Sequence, residues 1–526
     1  MHSPRGSRRL TRAVGTLLLL GSVTLALGTV TPSSAEEPTD PPATSTPDDS
    51  STLPDAIVPK QATEPTSDDT DGGAAQVQSA YPPPYGNAQP VKVEATFSRP
   101  SGSYMKAKDF SLLDDLERLV KGSYYDYEHG QYFSRSVNST HKVFLSVSRM
   151  ENSHRVGRRL VEAAKRGVNV YVIHGKASQS KESRALAKSL TKYKNGHFHI
   201  CAKGKSLACL SQQSAAIMHS KILIVNKTFD RDNNPATGAV WSGSANLGGP
   251  SGEYTYNNGW TVYNDEKIYN QAREFFADMY SERNINNDYL TYIKDHSPRY
   301  GVSGLTSKGY TGSFAVNGMF YSNLSNTTYY PTPIRATPTN GKDPVLAMLN
   351  RIIPDDQCRI RVQHNRFKYR RIAVAQKLVQ LADAGCKVDA VSFEDDLKVN
   401  RIAHCQLYIR ICQPILDVFR TADVHIDAAW AKPHDKTMLV EAKFKANKLN
   451  PEELPPGVDP SVSPATAWSG GVRLKLVQAG SAALTASNLI ASDEITTEST
   501  NPELYEQYLE HWRAINVTPK FHPYPY

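Results

Sequence analysis

Cysteine is scarce: six residues in 526, at 201, 209, 358, 386, 405 and 412, with no Cys-x-x-Cys pair among them. That pattern argues against a structural zinc cluster, which needs closely spaced thiolates. No other metal-ligand cluster stands out, and the sequence calls for no cofactor. No basic run is interleaved with aromatics, as a single-strand nucleic-acid groove would require. Beyond residue 30 no long apolar run occurs, so the mature chain is expected to be soluble.

What is present begins with a leader. Arg5, Arg8, Arg9 and Arg12 precede an uncharged apolar stretch, Ala13 to Val30, and Ser33-Ser34-Ala35 forms a small-x-small cleavage site. Residues 1–35 are therefore expected to be a signal peptide, with secretion to the extracellular side. Residues 36–90 are rich in Pro, Ser, Thr and Asp and poor in large apolar side chains, and are expected to be a disordered linker. Ten acids and one lysine give this stretch a net −9, and the leader carries +4. With a total of +8, the remainder holds +13, a basic body suited to an anionic partner such as a phospholipid surface or nucleic acid. Export and an even cysteine count point to disulfides. Short spacings suggest Cys201–Cys209 and Cys405–Cys412, leaving Cys358 with Cys386, one choice among the many that six cysteines allow.

The ordered part is written twice. In half one, Val91 to Phe97 reads as a strand ending in Phe97-Ser98. A helix with Leu112, Leu113, Leu116, Leu119 and Val120 follows, then the strand Val143 to Val147, a helix ending at Gly167, and the strand Val168 to Ile173. Half two repeats this order, with Phe320-Tyr321-Ser322 in the Phe-Ser place. Its helix carries Val345, Leu346, Leu349 and Ile352. Then come the strand Arg359 to Val362, a helix ending at Gly385, and the strand Lys387 to Val391. Each half closes with an amphipathic helix, marked by Ile268, Phe275, Phe276 and Met279 in one and by Tyr505, Tyr508, Leu509 and Trp512 in the other. Alternating strands and helices imply α/β sheets covered by helices. Segments 281–312 and 445–467 read as loops.

The chemistry sits at matching places. His219-Ser220-Lys221 opens the run Ile222 to Val225, and His434-Asp435-Lys436 opens Thr437 to Val440. On a strand, residues two apart share a face, so each His projects with its Lys while Ser220 and Asp435 point away. An imidazole can attack phosphorus or protonate a leaving oxygen, and an ammonium can hold the phosphoryl oxygens. Downstream, half one has Gly243-Ser244-Ala245-Asn246-Leu247, with Asn257 eleven residues after Asn246. Half two has Gly480-Ser481-Ala482-Ala483-Leu484, with Glu494 eleven residues after Ala483.

These motifs resemble the phospholipase D superfamily, whose repeated signature is His-x-Lys-x4-Asp, then Gly-Ser-x-Asn, then a carboxylate. The resemblance spans about residues 91–516. It implies an α/β fold of two similar halves, 91–312 and 313–526, packed face to face with pseudo-twofold symmetry, their mixed sheets flanked by helices. It implies a phosphoric diester hydrolase working through a phosphohistidine, with His219 as nucleophile and His434 as acid and base. Lys221, Lys436, Ser244, Asn246 and Ser481 would bind the phosphate. Glu494 would orient His219 across the halves, and no metal would be needed. Four positions depart from the signature: Asn226 and Glu441 stand at the two Asp places, Ala483 at the second Asn, and Asn257 at the first carboxylate.

The leading expectation is a secreted, monomeric phospholipase D with no obligate protein partner. It would cleave or transfer a glycerophospholipid head group at a membrane surface. A nuclease or other phosphodiesterase of the same superfamily is the alternative, as is a weakened pocket that only binds anionic lipid, for which Asn226, Asn257 and Ala483 would speak. His364, His404 and His425 carry no motif and read as structural or surface residues, and Trp430, four residues before His434, reads equally as a pocket-mouth or lipid-contacting residue and as core packing.

Overall fold

The computed structural model describes residues 89–100, 107–127, 129–134, 140–151, 155–176, 179–201, 206–210, 216–282, 320–322, 324–332, 343–393, 411–422, 424–429, 432–445, 471–516 and 522–523. The expected leader and all but two residues of the expected linker lie outside these, as do the 312/313 boundary, nearly all of both expected loops, His404, Cys405 and Trp430.

Half one runs β1 (Lys92–Ser98), α1 (Ser111–Gly122), β2 (Lys142–Val147), α2 (Arg155–Lys165), β3 (Asn169–His174), α3 (Lys181–Leu190), β4 (Gly196–Ile200), β5 (Ile222–Phe229), β6 (Pro235–Gly243), β7 (Thr255–Tyr263) and α4 (Glu266–Ser281). Half two runs β8 (Thr327–Thr332), α5 (Pro344–Arg351), β9 (Arg359–His364), α6 (Ile372–Asp383), β10 (Lys387–Phe393), α7 (Gln413–Phe419), β11 (His425–Ala429), β12 (Lys432–Pro433), β13 (Lys436–Phe444), β14 (Val472–Gly480), β15 (Glu494–Ser499) and α8 (Pro502–Asn516).

The first sheet has the order β1-β7-β6-β5-β2-β3-β4 and the second β8-β15-β14-β13-β9-β10-β11, strand for strand the same plan. In both, three strands are parallel (β2-β3-β4 and β9-β10-β11) and the rest antiparallel. The fold is thus α/β, with two similar halves of mixed sheet flanked by helices. Runs such as Ile222-Leu223-Ile224-Val225, all at most 1% exposed, suit strands covered on both faces. Gly167 and Gly385 end α2 and α6 with φ of 95° and 108°, a conformation that favours glycine.

One expected correspondence is corrected. The counterpart of β1 is β8, not Phe320-Tyr321-Ser322, which forms an added hairpin strand on β8. An aromatic-Ser pair is the more visible pattern, but the pairing register decides: Ser98 faces Asn257 as Thr332 faces Glu494.

Each half keeps a private apolar layer, one around Leu116, Leu160 and Trp241, the other around Leu349, Leu378 and Phe419. A third cluster joins them: Val93, Trp260 and Phe276 pack in one body with Tyr329, Leu439, Tyr508 and Trp512. Directional contacts lock the seam. Phe97 stacks on His511 at 4.3 Å, and the Ala95 amide donates to Gln507 at 3.0 Å. Cys201–Cys209 and Cys358–Cys386 are disulfides, and Cys412 is disulfide-bonded too.

Candidate active site

Each His-x-Lys strand is started by the opposite half. The His219 amide donates to the Asp493 carbonyl at 2.9 Å, and Met218 bridges Asp493 in parallel. The His434 amide donates to the Tyr256 carbonyl at 2.9 Å, and β12 lies parallel to Thr255–Tyr256 of β7. The residue after each of those carbonyls then backs the imidazole. Glu494 Oε1 lies 2.8 Å from His219 Nδ1, and Asn257 Oδ1 lies 2.9 Å from His434 Nδ1. With both Nδ1 atoms backed from the opposite half, Nε2 is the nitrogen for phosphorus chemistry; at His434 the Lys436 Nζ lies 3.1 Å from that Nε2 and 3.2 Å from Nδ1.

Asn257 is held one way round. Its Nδ2 donates to Thr255 Oγ1 (2.7 Å) and lies 3.1 Å and 3.2 Å from the carbonyls of Thr255 and Ser251. Its oxygen must then face His434, which makes His434 Nδ1 the donor. Glu494 is fully buried, and its Oε1 also accepts from Asn488 Nδ2. Burial raises its carboxyl to about 8, against the opposing pull of the Lys221 ammonium.

Lys221 and Lys436 are 1% and 3% exposed. Each donates to the carbonyl of its own histidine, at 2.6 Å and 2.5 Å. Burial lowers Lys221 to about 7 and Lys436 well below its ordinary value, the latter helped by the Lys221 charge. Burial, then the lysines of both halves, hold both imidazoles well below 6.5. The four groups therefore lie within electrostatic reach of one another across the two halves, with Glu494 the acid that acts on both lysines.

The remaining motif residues divide. Ser244 Oγ accepts from the Asn258 amide at 3.0 Å and lies 3.3 Å from Asn257 Oδ1. Ser481 Oγ accepts from the Ile495 amide at 2.9 Å. Both hydroxyls, expected on the phosphate, are buried against the strands that carry the orienting residues. The preceding glycines permit this approach: a Cβ on Gly243 would collide with the Asn258 carbonyl, and one on Gly480 with the Ile495 carbonyl. Asn246 lines a cavity of about 140 Å³ that reaches His434. A larger cavity of about 400 Å³, between β1 and α1, is lined by the ion-paired Asp115, Arg118 and Arg231 and touches none of these residues.

Asn226 lies off the site. Its oxygen accepts from the Lys142 amide (2.7 Å) and its nitrogen donates to the Thr140 carbonyl (2.8 Å), midway along β5 where it meets the start of β2. It is no sign of a weakened pocket. Ser220 and Asp435 do point away. Ser220 meets Ser146 at 2.8 Å, and Asp435 accepts from Gln363 (2.5 Å) and, across the seam, from Asn258 (2.7 Å).

Sequence reasoning missed Arg149 and Arg366. Both are exposed, both depress His219, and their carbonyls accept from the matching amides of Leu247 and Leu484 at 3.1 Å. They stand two residues past β2 and β9, so extending the repeat to Ser-Arg-Met and Asn-Arg-Phe would have found them. His364, expected to be a structural or surface residue, is buried opposite Lys436 in register, and burial lowers it to about 3.

Residues 135–280 match a family described as cardiolipin synthase, PLD-like domain. No curated protein matches the sequence. Among solved structures the chain is similar to phosphatidylserine synthase from Haemophilus influenzae Rd KW20 (9% identity, 82% of this chain and 87% of that one, TM-score 0.45). It is also similar to polyphosphate kinase from Porphyromonas gingivalis (10%, 82% and 48%, TM-score 0.44), of whose length it spans about half. A phospholipase D family member, Nuc from Salmonella typhimurium, matches at 16% over 36% of this chain and 95% of that one, with a TM-score of 0.24. The PLD-like domain matched over residues 135–280, with its strand order and His-x-Lys motif repeated in the second half, supports assignment of the chain to the phospholipase D superfamily.

Proposed function

We propose that the protein is a secreted phospholipase D-type enzyme that removes or exchanges the head group of a glycerophospholipid through a phosphohistidine. One observation carries the reading: two imidazoles, each backed at Nδ1 from the opposite half, share their surroundings with two buried ammoniums.

The different backings suit different roles. Glu494 behind His219, in its ionised form, stabilises positive charge on that ring as its Nε2 bonds to phosphorus. An amide behind His434 stabilises the imidazolium less and leaves it the better proton donor. Burial, then the lysines, keep His434 neutral in the empty site, and the charge of a bound phosphodiester draws its proton on. His219 Nε2 attacks phosphorus, the bond to the head-group oxygen breaks, and that oxygen takes the His434 proton. Water then gives a proton to His434 and attacks phosphorus, the P–N bond breaks, and phosphatidic acid leaves. A second alcohol in place of water gives transfer.

The disulfides are compatible with an extracellular protein, and no described helix is long and apolar enough to cross a membrane. The disulfides support export by a cleaved leader at residues 1–35. The test is head-group release from phospholipid vesicles, abolished in His219→Asn, with the phosphoryl group trapped on His219 and located by mass spectrometry. DNA cleavage without lipid turnover would favour a nuclease. Lipid binding without turnover in the unaltered protein would reduce the site to a binding pocket.

A further inference from the structure

We infer that the cavity beside His434 is the leaving-group subsite, and that Arg149, Lys432 and Asn246 select a small head group carrying both an anionic group and a hydrogen-bond donor. This rests on the proposed phospholipase reading with His219 as nucleophile.

In-line displacement places the leaving oxygen opposite the attacking nitrogen, on the side of the acid that protonates it. If His219 attacks, the head group lies at His434, where the cavity opens. Among the lining residues are Arg149, Glu151, Asn246, Tyr254, Lys432 and His434. Two are cations, and Lys432 is near enough to depress His434. Asn246 Oδ1 is buried with no hydrogen-bond partner, an acceptor that asks for a donor. Arg149 meets Glu151 at 3.5 Å, but both side chains are more than a third exposed, and such a pair is weak enough to reopen around a ligand.

Choline fits this lining poorly. A quaternary ammonium wants several aromatic faces and has no hydrogen to donate, whereas Tyr254 is the one aromatic ring besides His434 among the described residues lining the cavity, and the two cations outweigh the single carboxylate of Glu151. A carboxylate or phosphate fits the cations, and an ammonium or hydroxyl beside it satisfies Asn246. Serine offers carboxylate and ammonium, and glycerol phosphate offers phosphate and hydroxyl. In the opposite half Ala483, with no polar side chain, holds the place of Asn246.

The experiment is internal competition. The whole protein is given vesicles containing phosphatidylcholine, phosphatidylethanolamine, phosphatidylserine and phosphatidylglycerol phosphate in equal amounts, and the four released alcohols are quantified together. Every lipid then sees the same membrane-bound enzyme, so surface attraction and folded fraction cancel in the ratios. Serine or glycerol phosphate should exceed choline by about tenfold or more, the scale of one charge-assisted hydrogen bond. Whichever of the two leads names the anion as carboxylate or phosphate. Arg149→Met and Lys432→Met should each collapse that ratio toward one. Equal release of choline, or a preference that survives both substitutions, would overturn the inference and leave the phospholipase reading standing. If no lipid loses its head group, that reading falls and this subsite with it.

Discussion

Glu494 Oε1 sits 2.8 Å from His219 Nδ1, although 275 residues separate them in the chain. The contact exists because β15 of the second half presents Glu494 beside the backbone that also holds the His219 amide. Glu494→Gln keeps the shape and can leave the ring in the wrong tautomer. The rate of His219 phosphorylation in single-turnover experiments should fall by about a thousandfold with substrate affinity little changed. A loss confined to KM would contradict an orienting role.

Asn257 backs His434 with an amide, and replacement by Asp would restore the superfamily signature at a cost. The Asn257 nitrogen serves the acceptors of Thr255 and Ser251, which a carboxylate would face as further acceptors. Asn257→Asp should lower unfolding free energy by about 1–3 kcal/mol in urea titration. An unchanged midpoint would mean that Asp is tolerated there and that the amide has another explanation.

Asn226→Asp should separate stability from turnover. The same donor-to-acceptor loss, here against the Thr140 carbonyl, should cost about 1–3 kcal/mol. The kcat should stay within about twofold, since the residue lies outside the site. A large gain in kcat would mean that Asn226 weakens the enzyme after all.

The buried cations predict a pH signature for phosphate binding. Lys221 is lowered to about 7, below its ordinary 10.5, so at pH 8 most of the empty sites lack that proton. An incoming anion favours the ammonium, and the raised Glu494 carboxyl responds in the same direction. Binding of inorganic phosphate should therefore take up protons near pH 8, and affinity should fall as pH rises from 7 to 9. Calorimetry in two buffers of different ionisation enthalpy reads the uptake. Lys221→Met should diminish it, and proton release would refute the assignment.

Much of the fold is legible in the sequence alone. Local patterns report which face of an element is buried, and the duplication makes each local pattern count twice. The His-x-Lys strands, the closing helices α4 and α8, and the glycines at 167 and 385 follow from periodicity and from backbone rules that need no distant partner. Periodicity does not report which distant group each side chain meets. Only packing decides that β8 rather than Phe320-Tyr321-Ser322 mirrors β1, that Ser244 and Ser481 brace strands, and that Asn226 caps a strand far from the histidines. The cavity lining at His434 belongs to the same class. Arg149, Asn246 and Lys432 come from three separate stretches, and they converge only because the seam between the halves excludes water from a shared apolar layer and pulls their ends together.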